Sequence, residues 1–312
     1  MNTFLSILNI AAPLLPMTIG GLASEYAGRM ALFLDGAANL GAFLCYTFTV
    51  FTGSPVTGTL LSVLGVAALV FILERLATRL KANMFLAALA MNILFSSLTT
   101  LLSSIIFGTR GVLFSEAFIF NPAAARGITS AVCLCVSAAI VFFLAFTIPG
   151  LELRISGSEA GVLEARGISA DKYRCASWVL AGVCAALCGS CLAIRIDSYV
   201  PGISSGRGWT ALAAVFLGRK NAVFAALCVL LFAFAEYLSA NIQNIPAFAQ
   251  FPSSILLALP YILAVILILV IPGKKTGSRR QKKSPEEFPD LKCAALESNQ
   301  RPQACHACTL TN

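Results

Sequence analysis

Long apolar runs separated by short polar breaks dominate the chain, and the lengths of the runs set the architecture. They cover residues 4–22, 36–51, 56–73, 84–107, 129–148, 175–194, 222–240 and 254–271. Each is long enough, or nearly so, to cross about 30 Å of hydrocarbon as a helix. A ninth stretch, 209–218, has about half that length and reads as a half-helix that ends at Arg219-Lys220. The pattern predicts an all-α polytopic membrane protein with eight or nine membrane segments. In the first run, Pro13, Pro16 and the Gly20-Gly21 pair predict a broken or re-entrant helix, which is tolerable only where protein shields the freed backbone groups.

One polar stretch is too long and too ordered to be a simple turn. Residues 157–174 read Gly-Ser-Glu-Ala-Gly-Val-Leu-Glu-Ala-Arg-Gly-Ile-Ser-Ala-Asp-Lys-Tyr-Arg. Ser156 and Glu159 have the spacing of a capping box, in which hydroxyl and carboxylate each satisfy a free N–H at a helix start. Gly167 supplies a stop, and Ser169 a second cap with Asp171 in the following first turn. The prediction is a short surface helix, a tight turn and a descent into the membrane.

Composition fits this picture. The 312 residues are 58% hydrophobic and 12% charged, with a mean hydropathy of +0.85, far too apolar for an ordinary soluble domain. The net charge of +8 is no nucleic-acid footprint, because Lys and Arg gather beside apolar runs. Arg75, Arg79, Lys81, the island, Arg219-Lys220 and the cluster at 274–283 all fall on the cytoplasmic side of one alternating path. Two domains follow: a membrane body, 1–272, and a basic, uncapped cytoplasmic tail, 273–312, with the composition of a disordered segment and a charge suited to the lipid surface.

The chemistry of most enzymes is missing. The single His is His306, in the tail, so His-dependent triads and His-Glu-x-x-His metal sites have no home in the body. No phosphate-binding loop or dinucleotide fingerprint occurs. No cofactor is expected, and an energy source must come from a partner or an ion gradient. Most of the eleven cysteines lie in or beside apolar runs and read as small hydrophobes. Cys184, Cys188 and Cys191 share a helix face without a His or acid, and Cys293, Cys305, His306 and Cys308 are irregularly spaced, so no metal site is predicted.

Three stretches resemble permease subunits of ABC importers, in the branch containing nucleoside permeases partnered with basic membrane lipoproteins and related to ribose and branched-chain amino-acid permeases. The first is Gly20-Gly21-Leu22-Ala23-Ser24-Glu25-Tyr26-Ala27-Gly28 with Leu34-Asp35-Gly36 and Gly41-Ala42-Phe43; the second is the island, through Gly157 and Gly167-Ile168. The third, and most specific, is Gly206-Arg207-Gly208-Trp209-Thr210-Ala211-Leu212-Ala213, continuing to Leu217-Gly218-Arg219 and Phe232-Ala233-Phe234-Ala235-Glu236. The similarity spans about residues 10 to 272. It departs at Ala31, Phe33 and Asp35, the last an acid one carbon shorter than the usual Glu, and at Glu159-Ala160, where Asn-Pro is common.

The resemblance implies a non-catalytic conduit, with ATP hydrolysis on separate cytoplasmic ATP-binding subunits. It also implies a second permease subunit, a copy or a paralogue, and an extracytoplasmic substrate-binding lipoprotein. The cargo it implies is a nucleoside or similar flat ring-bearing solute such as riboflavin, with a sugar or branched-chain amino acid next. Glu159, Glu164, Arg166 and Gly167 would meet the ATPase, with Val162 and Leu163 as apolar anchors. Asn39, Asn92, Trp209 and Glu236 are the residues assigned to the substrate path, Glu236 because an ionisable group near the inner half of an apolar run is costly. Each has a plainer reading: a solvated loop for the island, interhelical bonding for the asparagines, an interfacial anchor for Trp209 and snorkelling for Glu236. Glu25 and Arg29, four apart, are placed to pair at the inward turn. The rival class is a secondary transporter driven by an ion gradient, which would use embedded acids in paired repeats.

Overall fold

The computed structural model describes residues 2–241, together with Ile262, Val265 and Ile266. Apart from those three residues, the apolar run at 254–271 lies outside the described residues, as do the tail, its cysteines and the boundary at 272. Within them the chain is helical: α1 (Asn2–Tyr26), α2 (Leu34–Thr52), α3 (Pro55–Arg79), α4 (Met84–Phe107), α5 (Pro122–Phe146), α6 (Ile148–Ser158), α7 (Ala160–Ala165), α8 (Ala170–Ile196), α9 (Arg207–Leu217) and α10 (Ala222–Asn241). Six of them, α1, α3, α4, α5, α8 and α10, are long and apolar enough to cross a membrane. With α2, largely buried, and the short α9, eight of the expected segments are accounted for among the described residues.

Helix α8 is the spine of the bundle, packed on α1, α2 and α3. Lipid is as apolar as leucine, so helices in a membrane associate by close packing and by hydrogen bonds between them. Small residues allow both here. A Cβ added to Gly189 would lie 1.9 Å from the Ala38 carbonyl oxygen, and one on Gly41 2.5 Å from the Ala186 Cα. At the same level Ser62 donates to the Gly41 carbonyl at 2.9 Å and stands 3.0 Å from Ser190. Farther along, the rings of Phe33, Trp178 and Phe95 pack edge to face at 5.3 and 6.1 Å, a geometry that suits the ring quadrupoles. By contrast α3 and α4 leave many of their apolar side chains exposed, among them Leu64, Phe71, Ile93 and Ile105, as lipid-facing helices do.

The first helix differs from its expected form. Pro13 and Pro16 lie inside α1, yet the helix is continuous from Asn2 to Tyr26. A proline frees the carbonyl four residues earlier, which for Pro13 is that of Asn9. Arg195 Nη1 donates to that oxygen at 2.5 Å. The same guanidinium donates to Thr129 Oγ1 at 2.8 Å and Ser130 Oγ at 2.7 Å, and Ser130 donates to the Asn9 side chain. At Pro13 the freed carbonyl is therefore satisfied by a donor about 180 residues away, which local sequence cannot reveal.

The island also differs in detail. It comprises the end of α6, all of α7 and the first turn of α8, and the Ser156–Glu159 capping box does not form. Ser156 lies buried in the last turn of α6 and donates back to the Leu153 carbonyl. Glu159 links the two helices without a side-chain cap, because α6 begins earlier, where Thr147 Oγ1 accepts the Gly150 N–H. Ser169 stands before α8 and likewise makes no side-chain cap. Gly167 acts as expected: at φ +74° it ends α7, with Ile168 N–H on the Leu163 carbonyl and Gly167 N–H on that of Glu164, the Schellman arrangement.

The Arg195 cluster yields a test. Arg195→Leu is expected to lower stability by about 1.5–3 kcal/mol, the range for hydrogen bonds to a charged group, read by chemical denaturation in detergent micelles. In a Pro13→Ala background, where the Asn9 carbonyl regains its helical partner, the same substitution should cost about 1 kcal/mol less.

Candidate functional site

The island is fastened to the bundle by its least bulky residue. Gly157 sits so close to the end of α1 that a Cβ there would meet the Tyr26 carbonyl oxygen at 2.1 Å and the Gly28 nitrogen at 2.6 Å. Gly28 itself turns the chain at φ +75°, a conformation open to glycine without steric cost. Arg174 Nη2 donates to the Ser156 carbonyl at 3.0 Å, Tyr173 donates to Glu152, and the Arg154 guanidinium covers the Tyr26 ring at 4.7 Å. Tyr26 in turn donates to the Lys220 carbonyl at 2.8 Å. Island, α1 end and the Arg219-Lys220 turn thus meet at one end of the bundle.

On this platform Glu159, Val162, Glu164, Arg166 and Gly167 are exposed, Val162 to 46%. Leu163 is fully buried. It therefore cannot be an outward anchor as expected from its position beside Val162; it holds α7 onto the body, and Val162 is left as the apolar group at the surface. The cause is helical periodicity: in a helix of six residues, adjacent positions point about 100° apart.

The second part of the site is the start of α9. Asp35 Oδ1 accepts the Gly208 N–H at 3.1 Å and the Ser204 hydroxyl at 2.7 Å. Asn39 Oδ1 accepts the Ser204 N–H at 3.0 Å, and Asn92 Oδ1 accepts the Gly36 N–H at 2.6 Å. A Cβ on Gly208 would stand 2.5 Å from the Asp35 nitrogen, so only glycine lets the two helix starts touch. Helix N-termini carry unpaired N–H groups and a partial positive charge; here the Asp35 carboxylate satisfies one at the start of α9 and the Asn92 amide oxygen one at the start of α2, while Asn39 takes an N–H in the turn before α9. Asn39 and Asn92 thus spend their carbonyl oxygens on backbone, Asn39 on the turn that leads into the half-helix and Asn92 on the start of α2. Asp35, Ser204 and Gly208 were not singled out as site residues, although the Leu-Asp-Gly and Gly-Arg-Gly-Trp motifs that contain them were the available signal.

Beside this junction Arg207 Nη2 pairs with Glu236 Oε1 at 2.5 Å, both side chains partly exposed. Trp209 is 44% exposed on the same end of α9. Glu236 lies fourteen residues beyond Ala222, about 21 Å along α10 at 1.5 Å per residue. Its place is therefore in the half of α10 away from Arg219-Lys220, a correction to the inner-half expectation. Arg29 does not pair with Glu25. It bonds Glu74 Oε1 and Asp171 Oδ1, each at 2.7 Å, while Glu25 Oε2 is buried without a hydrogen-bond partner. Glu74, 1% exposed, is a second embedded acid that the sequence pattern did not flag. Among the described residues no group of three or more His, Cys, Asp or Glu is placed to hold a metal ion.

A bundle of apolar helices that encloses a half-helix and carries a docked island at one end is the architecture of a membrane permease. The chain matches the family described as "Branched-chain amino acid transport system / permease component" over residues 3–272, and it belongs to that family. It is similar to the guanosine ABC transporter permease protein NupQ of Bacillus subtilis, with 26% identity over 287 residues, 85% of this chain and 90% of that one. It is also similar to the nucleoside ABC transporter permease protein NupC of Lactococcus lactis, with 26% identity over 294 residues, 86% and 92% of the two chains. Among solved structures, PsaBC from Streptococcus pneumoniae in complex with Fab shares the fold at a TM-score of 0.51 and 16% identity, covering 86% of this chain and 92% of that one.

Removal of the Asp35 carboxylate tests the junction. Asp35→Ala leaves the Gly208 N–H and Ser204 without their acceptor, at a local cost of about 1.5–3 kcal/mol. Amide exchange at Gly208 should then accelerate about 10- to 100-fold, whereas Asp35→Asn, which retains an acceptor, should show a smaller change.

Proposed function

We propose that the chain is the membrane-spanning permease subunit of an ATP-driven importer for nucleosides. The observation that carries this reading is the similarity, over at least 85% of the chain, to permeases named for guanosine and for nucleosides. The sugar alternative rests on a shorter match: 27% identity over 228 residues, 67% of this chain and 68% of the other, to a putative glucose ABC transporter permease of Haloferax volcanii.

In this reading two cytoplasmic ATP-binding subunits dock on the island, with Val162 as the apolar contact and Glu159, Glu164 and Arg166 as its charged rim. A second permease subunit completes the conduit, and a substrate-binding lipoprotein delivers cargo at the opposite end. The solute passes Arg207, Glu236 and Trp209, where an ion pair set among apolar helices offers polar groups to a sugar and the indole offers a flat apolar face to a base. Asp35 and Asn39 keep the half-helix in place, and Asn92 holds the start of α2 that carries Asp35. An ion-gradient mechanism draws little support from the embedded acids, because Glu236 and Glu74 are each neutralised by an arginine.

Reconstitution in liposomes with the partner ATPase and lipoprotein tests the reading. Nucleoside uptake should require ATP and stop with vanadate; uptake that ignores vanadate and collapses with the proton gradient would overturn it. Glu236→Gln should lower uptake about tenfold or more, the effect of losing one charged partner. Val162→Asp should abolish co-purification of the ATPase with thermal stability unchanged, whereas Leu163→Asp should also unfold the island.

A further inference from the structure

Resting on that reading, the geometry points to residues 27–33 as the transmission arm that carries movement of the island to the α9 half-helix, with Arg29 as its pin. Both ends of the arm are held by contacts already described. At the lower end Gly28 lies against Gly157 of the island. At the upper end α2 begins, and its Asp35 holds Ser204 and Gly208 at the start of α9. Only seven residues separate Arg29 from Asp35, counting both. The contact through Tyr26 to the Lys220 carbonyl reaches only the far end of α9, beyond Leu217, and the covalent route from the island to the start of α9 runs the length of α8, 27 residues and about 40 Å, through the tightly packed spine.

Arg29 joins three elements at the island end. Nη1 bonds Glu74 of α3 at 2.7 Å and Thr78 at 3.3 Å, and Nη2 bonds Asp171 in the first turn of α8 at 2.7 Å. Arg174, which holds the Ser156 carbonyl of α6, also reaches the same Asp171 oxygen at 3.5 Å. The carbonyl of Arg29 is fixed as well, accepting the Trp178 indole N–H at 2.9 Å. Ala31 N–H donates to Ser24 Oγ at 3.1 Å, and Phe33 packs on Trp178 and Phe95. A connection so bonded moves as a unit instead of absorbing displacement as a slack loop would. Glu74 is buried, but Asp171 is half exposed, at 51%. The Asp171 bond is therefore the one that a force on the island can break and remake with little desolvation. Arg29 is a positioning residue: it touches neither solute nor nucleotide.

The experiment uses the full importer in liposomes and two readouts. The first is nucleoside taken up per ATP hydrolysed. The second is maleimide labelling of a Phe216→Cys reporter on α9, with and without ATP and vanadate, quantified by mass spectrometry of the peptide carrying that position. Arg29→Gln is expected to lower uptake per ATP about tenfold, within the usual range of coupling between sites, and to erase the nucleotide-dependent change in labelling. Arg29→Lys, able to engage one carboxylate but not to fork between two, should recover part of both. Asp171→Asn, at an exposed position, should also uncouple and decides the matter if Arg29→Gln fails to assemble. An unchanged ratio and unchanged labelling response in the assembled variants would overturn the arm. The labelling arm requires no cargo, so a wild-type importer that moves no nucleoside, yet shows an Arg29-dependent response, would refute the nucleoside reading alone.

Discussion

Inside hydrocarbon a backbone N–H or C=O has no water to turn to, so each interruption of a helix must find its partner within the protein. Three interruptions shape this bundle, and each is satisfied by a side chain from another element. Arg195 of α8 takes the carbonyl freed by Pro13 in α1; Asn92 of α4 takes an N–H at the start of α2; Asp35 of α2 takes one at the start of α9. These bonds require α1, α2, α4, α8 and α9 to assemble in one register. The polar residues inside the bundle are thus distributed according to where the backbone breaks.

Close packing supplies the complementary constraint. Without a hydrophobic drive between helices, association depends on how nearly backbones approach, and glycines at Gly41, Gly157, Gly189 and Gly208 are among those that mark close approaches. Those at Gly157 and Gly208 connect a structural requirement to a functional one. Gly157 lets the island rest directly on the turn that it would move, and Gly208 lets the half-helix rest on the helix start that would move it. The island, the 27–33 connection and α9 consequently form a continuous mechanical series, while α3 and α4 face outward into lipid.

Much of this was legible in the sequence. Apolar run length predicted the helices, because the thickness of the bilayer fixes how many residues a crossing needs. The half-length run at 209–218 announced α9, and Gly167 announced the end of α7. The three motif stretches contain Asp35, Gly157, Gly208 and Glu236, four residues on which the site turns. Local rules failed in two ways: the capping box at Ser156 lost to an earlier cap at Thr147 in the same polar break, and the Glu25–Arg29 pair lost to the distant Glu74 and Asp171.

The sequence by itself therefore determined that the protein lives in a membrane, which apolar runs of its described part become helices, and where its charged island lies, since hydropathy and helix-ending residues act over a few turns. Only the tertiary structure decided which acids Arg29 and Arg207 meet, how the carbonyl freed by Pro13 is satisfied, and that Asn39 and Asn92 hold backbone. Those outcomes depend on which helix faces are brought within about 3 Å of each other, and no periodicity along one chain encodes that distance.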